Sequence, residues 1–369
     1  MASSIMSRSQ GIMTGDGGSS ELLQAGFTQK AFTAIVNQYP GDGTADIRQY
    51  ISTSASSVAP FVSNATYDAL SYPMDRLSNG NALLTLAATT NNTSYHAAAK
   101  ALRLSIDLNR RNSEGGLWYF TYPEWSYLDG MYSFAPFNTL YAILKSTSEE
   151  AIDAALDETQ FQLDLLWNHT YNASTGLLVH GYDDSLTAVW ANPTTGASPH
   201  VWGRSLGWYT MALVDTLAIM PNSPRKYKDY LIERFEALAS AVIDAVDPQT
   251  GGWWQLLDEP GREGNYIESS GSAMFSYALL KGARLGYLTD ALAPKAVQVA
   301  TRAQGYLTDT FVVHETNGTL SYNGTVSVCS LNSSASYEYY INQPILYNSV
   351  LGSAAYILAS LEVEKLSPA

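Results

Sequence analysis

The sequence predicts an all-α protein in which six helical hairpins stand in a ring, a double-layered (α/α)6 barrel. Two observations predict it. Apolar residues recur at helical spacing through most of the 369 residues, whereas strand-like alternation is scarce. A short glycine-plus-aromatic element also recurs between the helical stretches. It reads Glu114-Gly115-Gly116-Leu117-Trp118-Tyr119, Thr175-Gly176-Leu177-Leu178-Val179-His180, Thr250-Gly251-Gly252-Trp253-Trp254-Gln255 and, more weakly, Asn317-Gly318-Thr319-Leu320-Ser321-Tyr322. A spacing of roughly sixty to seventy-five residues holds one helix out, one helix back and their loops, the mark of a repeated hairpin. The glycines allow tight turns at one rim, so Trp118, Asp129, His180 and Trp253 are expected to meet there.

Along the chain, residues 1–25 read as a flexible N-terminal segment, since Met1 to Gly18 is rich in Ser and Gly. Residues 26–369 read as one barrel domain. Helical periods cover Ala45–Ala55, Asn81–Ala88, Tyr95–Leu108, Phe134–Leu144 and Glu149–Trp167 in the first half. Ser205–Ile219, Lys226–Ala245, Ala273–Gly286, Ala293–Thr308 and Pro344–Leu361 follow in the second. With 46% hydrophobic and only 15% charged residues, little of the chain can be solvated tail, which favours one body.

A formal net charge of -14 argues against nucleic acid or an anionic membrane as partner. It also means that an anionic ligand must be met by a local cation. Cys329 is the single cysteine, which excludes an intrachain disulfide and a thiolate metal cluster. No apolar run is long enough to span a membrane, and Met1 to Gly18 lacks the apolar core of a secretory signal. Asn64, Asn91, Asn92, Asn168, Asn172, Asn317, Asn323 and Asn332 all stand in N-x-S/T context. The expectation is a secreted glycoprotein whose signal peptide is absent from this chain.

Three stretches carry candidate chemistry. Tyr122-Pro123-Glu124-Trp125-Ser126-Tyr127-Leu128-Asp129-Gly130-Met131-Tyr132-Ser133-Phe134 sets one acid, Asp129, among aromatic side chains. Sugar faces stack on Trp and Tyr, and an acid kept dry has a raised pKa suited to donating a proton near neutral pH. A carboxylate capping the helix that begins near Gly130 explains Asp129 equally well. Asp75, in Tyr72-Pro73-Met74-Asp75-Arg76, carries the same two readings. The stretch from His180-Gly181-Tyr182-Asp183 through Trp190 to Pro199-His200-Val201-Trp202-Gly203-Arg204-Ser205-Leu206-Gly207-Trp208 concentrates two of the five histidines. His180 and His200 lack metal-site spacing, so they read as ligand contacts or buried structural residues. Arg204 needs an anion, either Asp183 or a substrate carboxylate. Glu268 to Phe275 reads as the tight start of an inner helix, through packing or ligand contact alike. Nucleophile elbows, phosphate loops and dinucleotide fingerprints are absent, and nothing calls for a cofactor or metal.

Together, Trp125-x-x-Leu128-Asp129-Gly130-Met131, His180-Gly181-Tyr182-Asp183 and Trp202-x-Arg204-x-x-Gly207-Trp208 resemble the unsaturated rhamnogalacturonyl hydrolases, glycoside hydrolase family 105. The unsaturated glucuronyl hydrolases of family 88 are their cousins, and the likeness runs from about Asp75 to about Tyr340. The resemblance implies an (α/α)6 barrel acting on oligosaccharides left by pectin lyases, whose non-reducing end is a 4,5-unsaturated uronic acid. Such enzymes hydrate the C4=C5 double bond instead of attacking the anomeric carbon. By motif, Asp129 resembles the general acid/base, and Asp75 the second aspartate that orients water or ring. His180, Arg204 and Trp208 resemble residues of the uronic-acid subsite, with Trp118, Tyr119, Trp125, His200 and Asp183 as further expected substrate contacts.

Tyr119 stands where many relatives have His, and Arg204-Ser205-Leu206-Gly207-Trp208 replaces Arg-Gly-Asn-Gly-Trp. Tyr339 to Pro344 lacks a basic residue often found there. These departures bear on substrate preference more than on reaction type. Two other functions fit the residues: an inverting glycosidase pairing Asp129 with Asp75 or Glu124 on a neutral glycan, and a non-catalytic carbohydrate-binding protein.

Overall fold

Two kinds of helix alternate along the chain in the computed structural model. It describes residues 1–366 except Gly17, Ser19, Pro221, Ser223 and Pro224, with Asp42 and Arg225 given by backbone alone. The α-helices are α1 (Ala2–Ser7), α2 (Glu21–Gln38), α3 (Ala45–Val58), α4 (Ala65–Ser71), α5 (Gly80–Thr90), α6 (Thr93–Asp107) and α7 (Asp129–Lys145). There follow α8 (Glu149–Thr170), α9 (Gly203–Ile219), α10 (Arg225–Asp244), α11 (Ser269–Arg284), α12 (Ala293–Phe311), α13 (Tyr337–Ile341) and α14 (Val350–Glu364). A 3-10 helix at Met74–Asn79 leads into α5, and three short antiparallel ribbons decorate the connections.

Burial separates the two kinds. Helix α9 buries every residue from Gly203 to Leu217 and α11 every residue from Ser269 to Leu280, so neither has a face for water. Helix α12 instead buries Ala296, Ala300, Ala303 and Leu307, a single stripe at helical spacing. The first kind must lie inside and the second outside. Helices α2, α7, α9, α11 and α14, with α5 and its 3-10 lead, pack in sequence, and α14 returns to α2 to close the inner ring. Helices α3, α6, α8, α10 and α12 lie against α2, α5, α7, α9 and α11 as the outer layer. This is the expected (α/α)6 barrel.

Three expectations change. Residues 1–25 are not a loose lead-in: α1 packs on α14 with Ile5 fully buried, and the Ser4 hydroxyl accepts from the Leu320 amide. The part of that expectation on Gly17 and Ser19 lies outside the described residues. Helix α2, the first inner helix, has no counterpart among the expected periods, because polar Thr28 and Gln29 sit fully buried among its apolar residues. Thr28 donates back to the Gln24 carbonyl of its own helix, and Gln29 donates sideways to Ser54 and Asn79 within the barrel wall. Helix α14 begins at Val350, not Pro344, because the Pro344 carbonyl and Leu346 amide bond to the 325–327 strand-like segment.

The repeated turns are equivalent. Gly115, Gly176, Gly251 and Gly318 each hold a left-handed φ between 73° and 91°, a conformation that a Cβ opposes.

Candidate active site

The inner helices start at a common rim, and a cleft of about 480 Å3 opens there. Glu21 and Leu22 of α2, Asp129 of α7, Arg204 and Trp208 of α9, and Leu351 of α14 line it, together with Asp75 of the 3-10 helix and Tyr119 from a loop.

Asp129 is the first residue of α7, and no side chain caps that helix, which disposes of the capping reading. One carboxylate oxygen, Oδ2, is held from behind: the Ser205 hydroxyl donates to it, and His180 Nε2 lies 3.4 Å away. The other, Oδ1, has no hydrogen-bond partner among the described residues and is left to the cleft.

Asp75 sits inside the 3-10 helix and is not its cap either. Its Oδ2 accepts a 2.7 Å bond from the Tyr119 hydroxyl, while Oδ1 is buried without a partner among the described residues. Burial pushes the Asp75 carboxyl up to about 7; the Tyr119 bond opposes this, and the charge of Asp129 adds to it. Arg76 is fully buried next door, but its guanidinium bonds to the Tyr72 and Pro73 carbonyls, Ser105 and Asn109, so it does not clamp Asp75. Tyr119 is fixed by stacking flat on Tyr127 with ring centres 4.6 Å apart.

The other expected contacts sort unevenly. Trp208 forms the cleft floor, resting on Tyr132 and Phe27. Arg204 lines the cleft but is anchored to the Val326 and Ser327 carbonyls and lies 4.8 Å over Trp202. Among the described residues no carboxylate pairs with it. Asp183 does not supply its anion: burial works against its charge, yet bonds from Ser185, Ala188 and Thr187 hold the carboxyl below its usual range. It is a loop anchor. His180 is wholly buried behind Asp129, with Nδ1 on the Tyr340 hydroxyl at 2.7 Å, and does not line the cleft.

His200, Trp118, Trp125 and Trp253 also lie outside the cleft lining. His200 pairs with Asp258 at 2.9 Å and lies 4.0 Å from Glu259; these three form the one cluster with metal-ligand geometry among the described residues. Its donors are engaged, Asp258 by the Val201 amide and Glu259 by Arg262. Trp125 packs edge-on against Trp190, and Trp253 packs on Phe275 with its N–H on the Val242 carbonyl. Thus of the four residues expected to meet at the rim, Asp129 and His180 do so. Glu268 caps α11 through the Gly271 amide, which makes that segment structural.

Sequence reading gave no role to Ser205, Tyr340, Phe61 or Phe120; Phe61 and Phe120 join Tyr72 and Tyr122 of the quoted stretches as an aromatic outer wall, with Tyr122 75% exposed. Ser205 directly follows Arg204, and the Tyr339-Tyr340 pair marks the segment that departs from the family pattern, so both had a signal nearby.

An (α/α)6 barrel with two buried carboxylates and a tryptophan floor at the inner-helix rim defines a helical-barrel glycosidase. The family model of Glycosyl Hydrolase Family 88 matches residues 13–367, and the chain belongs to that family. A family 105 glycoside hydrolase from C. acetobutylicum superposes with a TM-score of 0.85 at 32% identity, covering 99% of this chain and 98% of its own. The unsaturated glucuronyl hydrolase of Bacillus sp. GL1 shares the fold at a TM-score of 0.66 and 12% identity, over 96% of this chain and 88% of that one. In sequence, the 24.9 kDa protein in the picA locus of Rhizobium radiobacter is 38% identical over 193 residues, 51% of this chain and 82% of that protein.

Proposed function

We propose that the enzyme removes a 4,5-unsaturated uronic acid from the non-reducing end of oligosaccharides made by pectin lyases, of the rhamnogalacturonan type. The observation that carries this is the pair in the cleft: Asp129 gripped on Oδ2 with Oδ1 open, beside Asp75 titrating at about 7. An enol ether needs one proton donor and one placed water, not two carboxylates at a set separation. Asp129 protonates C4 from Oδ1. Water adds at C5 with Asp75 orienting it, and its proton returns to Asp129. The resulting C5 hemiketal opens by releasing the ring oxygen to C1, and the C1 hemiacetal then expels the remaining sugar.

Arg204 keeps its full positive charge, since carbonyl partners do not neutralise it, and so favours the uronate in an otherwise acidic cleft. Trp208 offers a face for the ring, and Tyr122 offers one for the departing sugar. The degradation of glycosaminoglycan for which the Bacillus enzyme is responsible supports the unsaturated-uronate reading. Family 105 similarity supports pectin as the source. We also propose secretion: seven of the eight N-x-S/T asparagines are exposed, and Asn172 is partly so.

A digest of rhamnogalacturonan by its lyase carries an ultraviolet chromophore at the conjugated double bond, and the enzyme should bleach it. Asp129→Asn should lower that rate by about a thousandfold while leaving the fold intact. New reducing ends without bleaching would replace this reading by ordinary glycoside cleavage, and ligand binding without either signal by a non-catalytic protein.

A further inference from the structure

Below Trp208 the bore continues. The Trp208 indole rests on Tyr132 with ring centres 4.4 Å apart, and Tyr132 in turn lines a second cavity of about 250 Å3. This lower cavity runs from the early turns of α5 and α7, which bring Asn81 and Ser133, to the middle and later turns of α2, α9, α11 and α14, deeper in the bore than the cleft. Its charged group is unusual in being unbalanced. Lys281 Nζ lies 2.6 Å from Oδ1 of Asp215, and Lys30 Nζ lies 2.6 Å from Oδ2. The Tyr277 hydroxyl donates to Oδ1 at 2.7 Å. Two ammonium groups on one buried carboxylate leave one positive charge in excess, within a chain whose formal net charge is -14.

Helix ends explain only part of this. Cations in a last turn answer the negative end of a helix dipole, which accounts for Lys281 and Arg284 at the end of α11. Lys30 stands in the middle of α2 (Glu21–Gln38) and has no such reason. Although the Lys30 side chain is 27% exposed, its partial burial lowers its pKa, and a bound anion would favour the charged form. The cavity also holds polar atoms that have no partner among the described residues. Ser133, 1% exposed, has a hydroxyl without a partner, and so does the buried amide oxygen of Asn81. Buried polar groups left open in this way mark a place where a ligand atom belongs.

We propose that the lower cavity is an anion site for a small oxygen-rich monoanion that also carries a hydroxyl: inorganic phosphate or a free sugar acid. Lys30 and Lys281 supply the charge, the Ser133 hydroxyl donates to an anionic oxygen, and Asn81 Oδ1 accepts from the ligand's O–H. That last contact excludes bare halide. At about 250 Å3 the cavity admits a monosaccharide acid but not an oligosaccharide. The site is independent of the reaction in the cleft.

Calorimetric titration of the full chain at neutral pH and low salt, with inorganic phosphate in one series and galacturonate in another, tests this. One equivalent of at least one probe should bind. Lys30→Met should weaken it at least tenfold, and Ser133→Ala, which leaves every charge in place, about fivefold. Asp75→Asn in the upper cleft should leave it unchanged. Binding of phosphate alone would make the ligand an inorganic oxyanion, and of galacturonate alone a sugar acid; both support the site. Failure of both probes with the wild-type chain overturns it. So does binding that survives Lys30→Met and Ser133→Ala undiminished, which would place the probe in the cleft or on the surface.

Discussion

The two ends of the barrel bore hold the same kind of group in opposite states. Asp75 at the rim and Asp215 at the floor are both almost fully buried aspartates, and burial disfavours the charge of each. At the floor, Lys281 and Lys30 overcome that penalty and hold Asp215 at about 2. At the rim no ammonium or guanidinium among the described residues pairs with Asp75; burial lifts the carboxyl to about 7, and the Asp129 charge outweighs that of Arg76. Neighbours, not depth, decide the outcome. The floor pairing locks three inner helices together, whereas the rim keeps its acids unpaired, as proton chemistry requires.

The largest effect should follow from breaking the floor. Asp215→Ala leaves two half-buried ammoniums facing each other; a fully buried pair that loses one partner costs about 3–5 kcal/mol, and partial exposure brings this to about 2–3 kcal/mol. Thermal melting should fall by several degrees while kcat at 25 °C stays within about twofold. The wild-type dependence on pH follows from the sign of the shift. A depressed carboxyl contributes stability above its unfolded pKa of about 4, and that stability is lost as pH falls from about 4 toward 2. An unchanged melting temperature in Asp215→Ala would show that the floor triad is not a lock.

The rim should respond with the opposite sign. Asp75 is raised, so between about 4 and 7 the folded chain binds a proton that the unfolded chain does not, and stability falls as pH rises through that window. Asp75→Asn removes the titration. It should stabilise the protein at pH 8 by about 2–4 kcal/mol, flatten the melting temperature between pH 4 and 8, and abolish most activity. A variant that melts lower at pH 8 would mean that Asp75 is paired in solution, and the contrast between the two ends would fail.

How much of this contrast was readable in the chain depends on distance. The outer helices announce themselves by a single apolar stripe, and Asp129 by aromatic residues within a few positions. Helix α2 was hidden because Thr28 bonds back to its own helix and Gln29 sideways inside the wall, so buried polar residues interrupt its apolar pattern. Asp183 and His200 were misplaced for a related reason. A carboxylate fixing its own loop and a histidine paired 58 residues away have the composition of ligand contacts. Ser205 and Tyr340 act across separations of 76 and 160 residues, so no local pattern could assign them to Asp129 and His180.

The finest test isolates one bond at the rim. Tyr119 stands where many relatives carry His, and its hydroxyl is the single hydrogen-bond donor that holds Asp75 down among the described residues. Tyr119→Phe keeps the stack on Tyr127 and removes only that donor. With burial and Asp129 unchanged, Asp75 should titrate above 7, moving the corresponding limb of the kcat/KM profile upward by up to about one unit. The rate at neutral pH should fall about fivefold, the size of one net hydrogen bond. Should the Phe variant lose rate with its pH limb unmoved, that limb belongs to another group, and Asp75 acts by shape and not by its proton.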